Sequence, residues 1–87
     1  MNTHHHISSP ATIGQTIRTV RRAQKLTQAD LALAAGVSTP FLSALENGKS
    51  TVRLDILLRV LAALNIRMDL SVPEGLAGES SSNQAPS

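Results

Sequence analysis

Apolar residues recur at intervals of three and four along most of this chain, and that spacing predicts helices rather than strands. The first predicted helix runs from Ile13 to Gln24, with Thr12 as its N-cap and Ile17 on its inner face. Residues 1–11 are polar and show no period. We therefore expect them to form a flexible arm in front of the first helix.

Two short helices follow, and the residues that begin and end them are visible in the sequence. Thr27 with Asp30 three positions later predicts a capping box at the start of the second helix, and Gly36 predicts its end. Ser38 predicts the N-cap of the third helix, which ends at Asn47. Two helices joined by about three residues that include glycine are typical of a helix-turn-helix.

A fourth predicted helix, from about Leu54 to Leu64, is apolar on more than one side. Its leucines form one stripe, and its second apolar edge consists of Ile56, Val60 and Ala63. A helix of this kind either lies centrally in the monomer or presents its second edge to another chain. Its only charged residues, Asp55 and Arg59, have the spacing of a favourable pair.

After the fourth helix the period changes from 3.6 to two. The alternating apolar residues that predict a strand are Ile66, Met68, Leu70 and Val72, and Pro73 ends the pattern. Because the sequence offers no second strand, the simplest partner is the same strand of a second chain related by a two-fold axis. The alternative is an extended tail packed on its own core.

Composition narrows the class of protein. The 87 residues suffice for one domain, and Phe41 is the single aromatic residue, so the core must be aliphatic. We expect an all-α fold of four helices with a short C-terminal strand. The expected organisation is an arm at 1–11, a domain at 12–72, and a disordered Gly-, Ser- and Pro-rich tail at 73–87.

The sequence argues against a disulfide-bonded, metal-binding, catalytic, membrane or secreted protein. The absence of cysteine excludes a disulfide framework and thiolate metal sites, and the adjacent histidines at 4–6 lie in an arm that enforces no geometry. We expect no metal, no cofactor and no catalytic activity, since no nucleophile has a base nearby in the sequence. Neither a membrane span nor a secretory core is present, which favours a cytoplasmic protein that does not bind membranes.

Charge is distributed unevenly along the chain. All eight Lys and Arg residues lie between Arg18 and Arg67, whereas the charged residues that follow, Asp69, Glu74 and Glu79, are acidic. A basic domain favours a polyanionic partner such as nucleic acid, although ordinary solubility also accounts for a modest excess of positive charge.

The stretch IRTVRRAQKLTQADLALAAGVSTPFLSALENGKS, followed by LDILLRVLAAL, resembles the Cro/lambda-repressor (XRE) helix-turn-helix family over residues 13–64. The Thr-Gln-x-x-Leu-Ala opening, the glycine turn and the Leu-Glu-Asn-Gly ending occur together at the family's spacing. The resemblance implies a sequence-specific transcriptional repressor whose partner is double-stranded operator DNA.

The resemblance also implies roles for individual residues. The residues that would face base edges are Thr39, Pro40, Ser43 and Ala44. The residues that would contact phosphates are Gln28, Ser38, Asn47 and Lys49, with capping of the third helix as the other role for Ser38. Arg21 and Glu46 match a structural ion pair between the first and third helices.

The base-facing side of the third helix has no Arg, Asn or Gln before Asn47, so bidentate recognition of guanine or adenine is not available there. We therefore expect phosphate contacts and DNA shape to contribute more to binding. Phe41 either offers apolar contact to thymine methyl groups or belongs to the core.

The ending LNIRMDLSVP is similar to that of HipB-type antitoxins, in which two such strands pair as a lid over the dimer. This similarity implies a homodimer that represses its own operon and binds a HipA-like kinase toxin. Two alternatives remain open: a stand-alone XRE-family regulator without a toxin, and a module that acts mainly by protein–protein binding.

Overall fold

The computed structural model describes residues 6–75. The elements are α1 (Pro10–Ala23), α2 (Gln28–Ala35), α3 (Thr39–Glu46) and α4 (Leu54–Ala63). The described part of the chain is therefore all-helical, and the predicted four-helix fold is confirmed. The predictions for His4 and His5, and for the tail from residue 76 onwards, lie outside the described residues.

The start of α1 differs from the prediction, because Ser9 and not Thr12 is the N-cap. The Ser9 hydroxyl accepts a hydrogen bond from the backbone N–H of Thr12, and the Thr12 hydroxyl accepts one from the backbone N–H of Ser9. Pro10 occupies the first helical position, where its missing N–H costs nothing. The helix thus includes Pro10 and Ala11, which were predicted to belong to the arm. A threonine in place of the usual Glu or Gln hides this capping box.

The predicted ends of α2 and α3 are confirmed. Thr27 and Asp30 form a reciprocal capping box with hydrogen bonds of 3.0 and 2.9 Å. Gly36 follows α2 with φ = 73°, a left-handed conformation that glycine adopts without steric cost. Ser38 caps α3 by accepting a hydrogen bond from the N–H of Phe41.

The hydrophobic core lies between all four helices. Its buried members are Ile17, Leu31, Ala32, Ala35, Leu42, Leu45, Leu57, Val60, Leu61 and Leu64. α3 packs against α1 and α2, and α4 packs against α2. Phe41 is half-buried and packs against this core, as the core alternative for this residue predicts.

α1 and α3 approach each other closely at Gly14. A Cβ atom at this position would collide with the backbone carbonyl oxygen of Leu45 and would lie 2.8 Å from that of Glu46. Only glycine allows the C-terminal turn of α3 to rest on α1 in this way. Gly14 therefore helps to fix the position of α3.

Of the two alternatives for α4, the structure shows the one in which the second apolar edge lies inside the monomer. Val60 is fully buried and Ile56 and Ala63 are partly buried, so the predicted second edge belongs to the core. Exposure falls instead on two residues of the leucine stripe, Leu54 at 62% and Leu58 at 44%.

The predicted pair of Asp55 and Arg59 is wrong. Arg59 donates hydrogen bonds of 2.9 to 3.2 Å to the carbonyl oxygens of Ala35 and Gly36, while Asp55 pairs with Arg53. The carbonyl groups that end a helix lack intrahelical partners and carry partial negative charge, so the end of α2 attracts the guanidinium group.

Residues 66–72 are not in a strand in the single chain, and no other segment within residues 6–75 is in a strand that could pair with them. A strand requires a neighbour to satisfy its backbone groups. Ile66 packs against the core, but Met68, Leu70 and Val72 are 46%, 87% and 50% exposed. Packing of the segment on its own core is therefore limited to Ile66.

Within the described residues, no helix has both the length and the apolar character that crossing a membrane requires.

Candidate nucleic-acid interface

The predicted base-facing residues lie on one side of α3, opposite its core-facing residues Leu42 and Leu45. Thr39 and Pro40, in the first turn, are exposed, whereas Ser43 and Ala44 are half-buried. The first turn is thus the most accessible part of this face. An α-helix presented in this way fits the major groove, which is about 12 Å wide.

Glu46, the last residue of α3, holds its carboxylate in a fully buried position against α1. Arg21 binds both carboxylate oxygens, with Nε 2.6 Å from Oε2 and Nη2 3.0 Å from Oε1. The same guanidinium donates to the carbonyl oxygen of Leu26 over 2.8 Å. Such a two-bond arrangement fixes both direction and distance, so the pair links α1 firmly to the end of α3.

Of the residues predicted to contact phosphates, Gln28 bonds directly to this carboxylate and Asn47 is linked to it through Arg18. Gln28, at the start of α2, donates from Nε2 to Oε1 of Glu46 over 3.1 Å. Asn47 donates from Nδ2 to the carbonyl oxygen of Ser43, and its Oδ1 accepts from Nη2 of Arg18 over 3.1 Å. The side chains of Gln28 and Asn47 are therefore held in place by neighbouring groups of the protein.

The ionisation of Glu46 is set by two opposing effects. Burial raises the pKa of the carboxyl group, but hydrogen bonds and charge from Arg21, together with hydrogen bonds from Gln28 and Arg18, lower it further than burial raises it. The pKa of Glu46 is below its ordinary value as a result. The carboxylate is charged at neutral pH and can hold all three donors.

The remaining predicted phosphate ligands lie at the two ends of α3. The Ser38 hydroxyl oxygen accepts from Phe41 N–H, which leaves its hydrogen available to donate. Lys49 is exposed in the turn after α3, where its backbone N–H bonds to the carbonyl oxygen of Ala44. The two residues border opposite ends of the exposed face.

Sequence reasoning missed Arg18 as a member of this site. Arg18 lies one turn before Arg21 on α1, and its guanidinium approaches both Glu46 and Asn47, at 3.4 and 3.1 Å. The one signal for it in the sequence is the three-residue spacing from Arg21, which places both on neighbouring parts of the helix surface.

A family model described as HTH_3, helix-turn-helix, matches residues 17–70, more than half of the chain. The chain belongs to the HTH_3 helix-turn-helix family. It is therefore a DNA-binding transcriptional regulator of the XRE type, and the predicted resemblance to that family is confirmed.

A curated relative of this HTH_3 protein is y4mF of Sinorhizobium fredii, an uncharacterised HTH-type transcriptional regulator. The two are 42% identical over 67 residues, which cover 77% of this chain and 88% of y4mF. The two sequences therefore align over most of their length, including the helix-turn-helix.

Solved structures similar to this HTH_3 protein include HipB and a restriction-modification controller. HipB (S29A) in complex with an O2 20mer matches with a TM-score of 0.74 and 27% identity, covering 80% of this chain and 97% of HipB. HipB in a HipA-HipB-O2-O3 complex gives a TM-score of 0.73 and 26% identity, covering 79% and 97%. The controller protein C.AhdI of Aeromonas hydrophila gives 0.63 and 31%, covering 67% and 88%.

Proposed function

We propose that this HTH_3 protein is an antitoxin that represses its own operon as a homodimer and binds a HipA-like kinase toxin. The observation that carries the proposal is its likeness to HipB over 97% of the HipB chain and 80% of its own. The four helices span only residues 10–63. A match that covers 80% of the 87 residues is longer than this span, so the likeness to HipB extends into the segments that flank the helices.

In this proposal α3 enters the major groove of the operator with its exposed first turn leading. The base-facing residues are Thr39, Pro40, Ser43 and Ala44, and the phosphate-contacting residues are Gln28, Ser38, Asn47 and Lys49. In a two-fold dimer the two copies of α3 would lie about 34 Å apart, one turn of DNA, or a multiple of that distance.

The proposed dimer forms by antiparallel pairing of residues 66–72. The apolar side chains of this segment are exposed from Met68 onwards in the single chain, as are Leu54 and Leu58 of α4. If the pairing centres on Met68, Arg67 of one chain lies opposite Asp69 of the other, a favourable cross-strand pair. Pairing would satisfy the backbone groups of the segment and cover apolar surface at once.

A stand-alone regulator without a toxin is the second candidate function. It is supported by the likeness to y4mF, at 42% identity, and to the controller protein C.AhdI, at 31% identity. Both candidates require DNA binding and differ in whether a second protein binds.

Selection of bound duplexes from a random pool tests the DNA-binding part of the proposal. We expect the selected sites to contain two half-sites related by symmetry, with their centres one helical turn or a multiple apart. Sites without half-site symmetry would contradict a two-fold dimer on DNA.

A reporter placed behind the chain's own promoter tests autorepression, and co-purification with the product of the neighbouring gene tests the toxin. We expect repression by the chain and a stable complex with a kinase-like neighbour. Repression without any such complex or neighbouring gene would favour the stand-alone regulator.

Sedimentation at micromolar concentration tests the dimer. We expect a dimeric mass for the unaltered chain and a monomeric mass for Met68→Pro, because proline removes a ladder N–H at the centre of the pairing. Glu74→Pro, which lies beyond the segment, is the matched control and should remain dimeric. A monomeric unaltered chain would exclude this part of the proposal.

A further inference from the structure

Charge around Glu46 is not balanced. The group consists of two guanidinium ions, Arg18 and Arg21, and the single carboxylate of Glu46, with the neutral amides of Gln28 and Asn47 beside them. This Glu46 cluster, as we name these five residues, therefore carries one net positive charge.

The excess charge lies on Arg18 rather than on Arg21. The Arg21 side chain is 9% exposed and uses its guanidinium for both oxygens of Glu46 and for the carbonyl oxygen of Leu26. Arg18 is 35% exposed, and its approach to Glu46 is longer, 3.4 Å against 2.6 Å. Since Coulomb attraction falls with distance and with exposure to water, Glu46 neutralises Arg21 more completely than Arg18.

Arg18 is also held in one place before any ligand arrives. Nη2 donates to Oδ1 of Asn47 over 3.1 Å while Nε faces Glu46. A guanidinium group has five N–H donors, and these two contacts leave most of them free. The group is thus charged, partly exposed, ordered and supplied with unused donors.

Arg18 lies beside two residues that are proposed to contact DNA phosphates, Asn47 and Gln28. Asn47 is in direct contact with it, and Gln28 donates to the same oxygen of Glu46 that Arg18 approaches. Both amide residues are proposed to contact phosphates. Arg22, one turn further along α1, is exposed and adds positive charge on the same side of the helix.

We propose that Arg18 binds a backbone phosphate of the DNA duplex between the contacts made by Gln28 and Asn47, so that α1 takes part in the interface. A guanidinium group matches the geometry of phosphate oxygens and can donate two hydrogen bonds to them. Phosphates carry no sequence information, so this contact contributes affinity and orientation without preference for a base. The inference rests on DNA binding by the family and does not depend on a toxin partner.

The salt dependence of Arg18→Gln tests the proposal. Affinity is measured between 50 and 200 mM salt for a random-sequence duplex and for one selected by the unaltered chain. We expect the slope of log K against log salt to become shallower by about 0.9 for each bound chain, equally on both duplexes. A structural role alone would not change this slope.

Two further variants separate charge from structure. Arg18→Lys keeps the charge but loses the planar donor geometry, so we expect a slope close to that of the unaltered chain. Arg53→Gln removes an equal charge from an exposed pair with Asp55, outside the Glu46 cluster, and is the control for net charge. We expect it to change the slope less than Arg18→Gln does.

Three results would overturn the inference. An unchanged slope in Arg18→Gln, accompanied only by a lower thermal stability, would show that Arg18 merely supports Glu46. A loss confined to the selected duplex would show contact with bases. An unaltered chain that binds no duplex of the pool, so that none is selected, would contradict both the inference and DNA binding itself.

Discussion

The side-chain amide of Gln28 donates a hydrogen bond of 3.1 Å to Oε1 of Glu46, and so ties the start of α2 to the end of α3. An amide group carries two hydrogens, and this bond uses one of them. The side chain is therefore ordered while a donor remains for a phosphate oxygen. Ordering a contact residue before binding lowers the entropy lost when DNA is bound.

Gln28 and Thr39 are expected to affect binding in different ways. Gln28→Ala should weaken binding to all sequences by a similar factor, because its proposed contact is to phosphate. Thr39→Ala should change the order of preference among sequences, because the proposed role of its hydroxyl is to bond to a base edge. Affinities for duplexes that differ at single positions measure both effects.

Thr19→Ala removes an exposed hydroxyl on α1 and is the control for the loss of a threonine. It should change neither affinity nor preference. A uniform loss from Thr39→Ala together with altered preference from Gln28→Ala would show that the two roles are assigned the wrong way round.

The buried pair of Arg21 and Glu46 should be costly to break from one side. Glu46→Leu leaves the Arg21 guanidinium buried without its partner, and we expect a loss of about 3–5 kcal/mol in the free energy of unfolding. The double variant Arg21→Met/Glu46→Leu should lose less than the sum of the two single losses, because no buried charge is left unpaired. Urea unfolding of Glu46→Leu, Arg21→Met and the double variant measures the three losses in free energy of unfolding.

The exposed pair of Arg53 and Asp55 supplies the matched control. Its side chains are 77% and 60% exposed, so Asp55→Asn should lower the free energy of unfolding far less than Glu46→Leu does. Additive losses in the Arg21 and Glu46 variants would contradict a coupled buried pair.

Stability should fall in acid because the pKa of Glu46 is lowered in the folded state. A carboxyl group with a lowered folded pKa contributes its full stabilisation above its unfolded pKa of about 4.3, and loses it as pH falls through the folded value. The pKa values of Asp30 and Asp55 are lowered too, by hydrogen bonds from Thr27 and from Arg53 respectively, and add a loss of the same sign.

Unfolding free energies of the unaltered chain and of Glu46→Gln, measured from pH 7 down to pH 3, show how much Glu46 contributes to the loss of stability in acid. We expect Glu46→Gln to be less stable at neutral pH, and its stability should fall less steeply in acid than that of the unaltered chain, since one carboxyl group with a lowered pKa is gone. Parallel curves for the two proteins would show that Glu46 makes no contribution to the acid response.

The helix-turn-helix could be predicted because its signals are local. Thr27 with Asp30, Gly36, and Ser38 each act within one turn of the backbone, so the sequence alone shows where α2 ends and α3 begins. The resemblance to the XRE family depends on the same stretch. The start of α1 was missed because Thr12 occupies a capping-box position that Glu or Gln usually fills.

Apart from the Arg21–Glu46 pair, which the family resemblance implied, the contacts that position the site could not be predicted, because they join residues distant in sequence. Arg59 bonds to carbonyl groups 23 and 24 positions earlier, and Arg18 meets Asn47 across 29 positions. Spacing within one helix favoured Asp55 as the partner of Arg59, but the unpaired carbonyl groups at the end of α2 hold it instead. Which group a side chain such as Arg59 bonds to is decided by tertiary packing.

Gly14→Ala should reverse the usual effect of alanine in a helix. At an ordinary helical position the change stabilises by about 1 kcal/mol, since glycine is the poorer helix former. Here the new Cβ would meet the backbone carbonyl groups of Leu45 and Glu46, which cannot move without shifting α3. We expect a loss of about 1–3 kcal/mol, as for other overpacked sites.

Thermal unfolding of Gly14→Ala and of Ala34→Gly separates the effect of helix propensity from that of the steric overlap at Gly14. Ala34 is exposed in α2, so its change to glycine reports helix propensity alone. If Gly14→Ala raised stability by the amount that Ala34→Gly lowers it, the close approach of α1 and α3 would not constrain position 14.

All four helices end in the same hydrogen-bonding pattern, in which a left-handed residue lies just beyond the helix, at the C-cap of α2 and one residue after the C-cap of the other three. The residues in that position are Lys25, Gly36, Gly48 and Asn65, with φ values of 62°, 73°, 92° and 64°. A left-handed conformation costs roughly 1–2 kcal/mol for a residue with a Cβ, and Asn tolerates it better than Lys.

Lys25→Gly should therefore stabilise the fold by about 1 kcal/mol, after allowance for the greater freedom of glycine in the unfolded chain. Asn65→Gly should stabilise it by less, because asparagine already fits the conformation. Lys25→Ala is the control: it removes the same side chain but keeps the Cβ, so it should bring no gain. Equal gains from Lys25→Ala and Lys25→Gly in urea unfolding would assign the effect to the lysine side chain and not to the backbone.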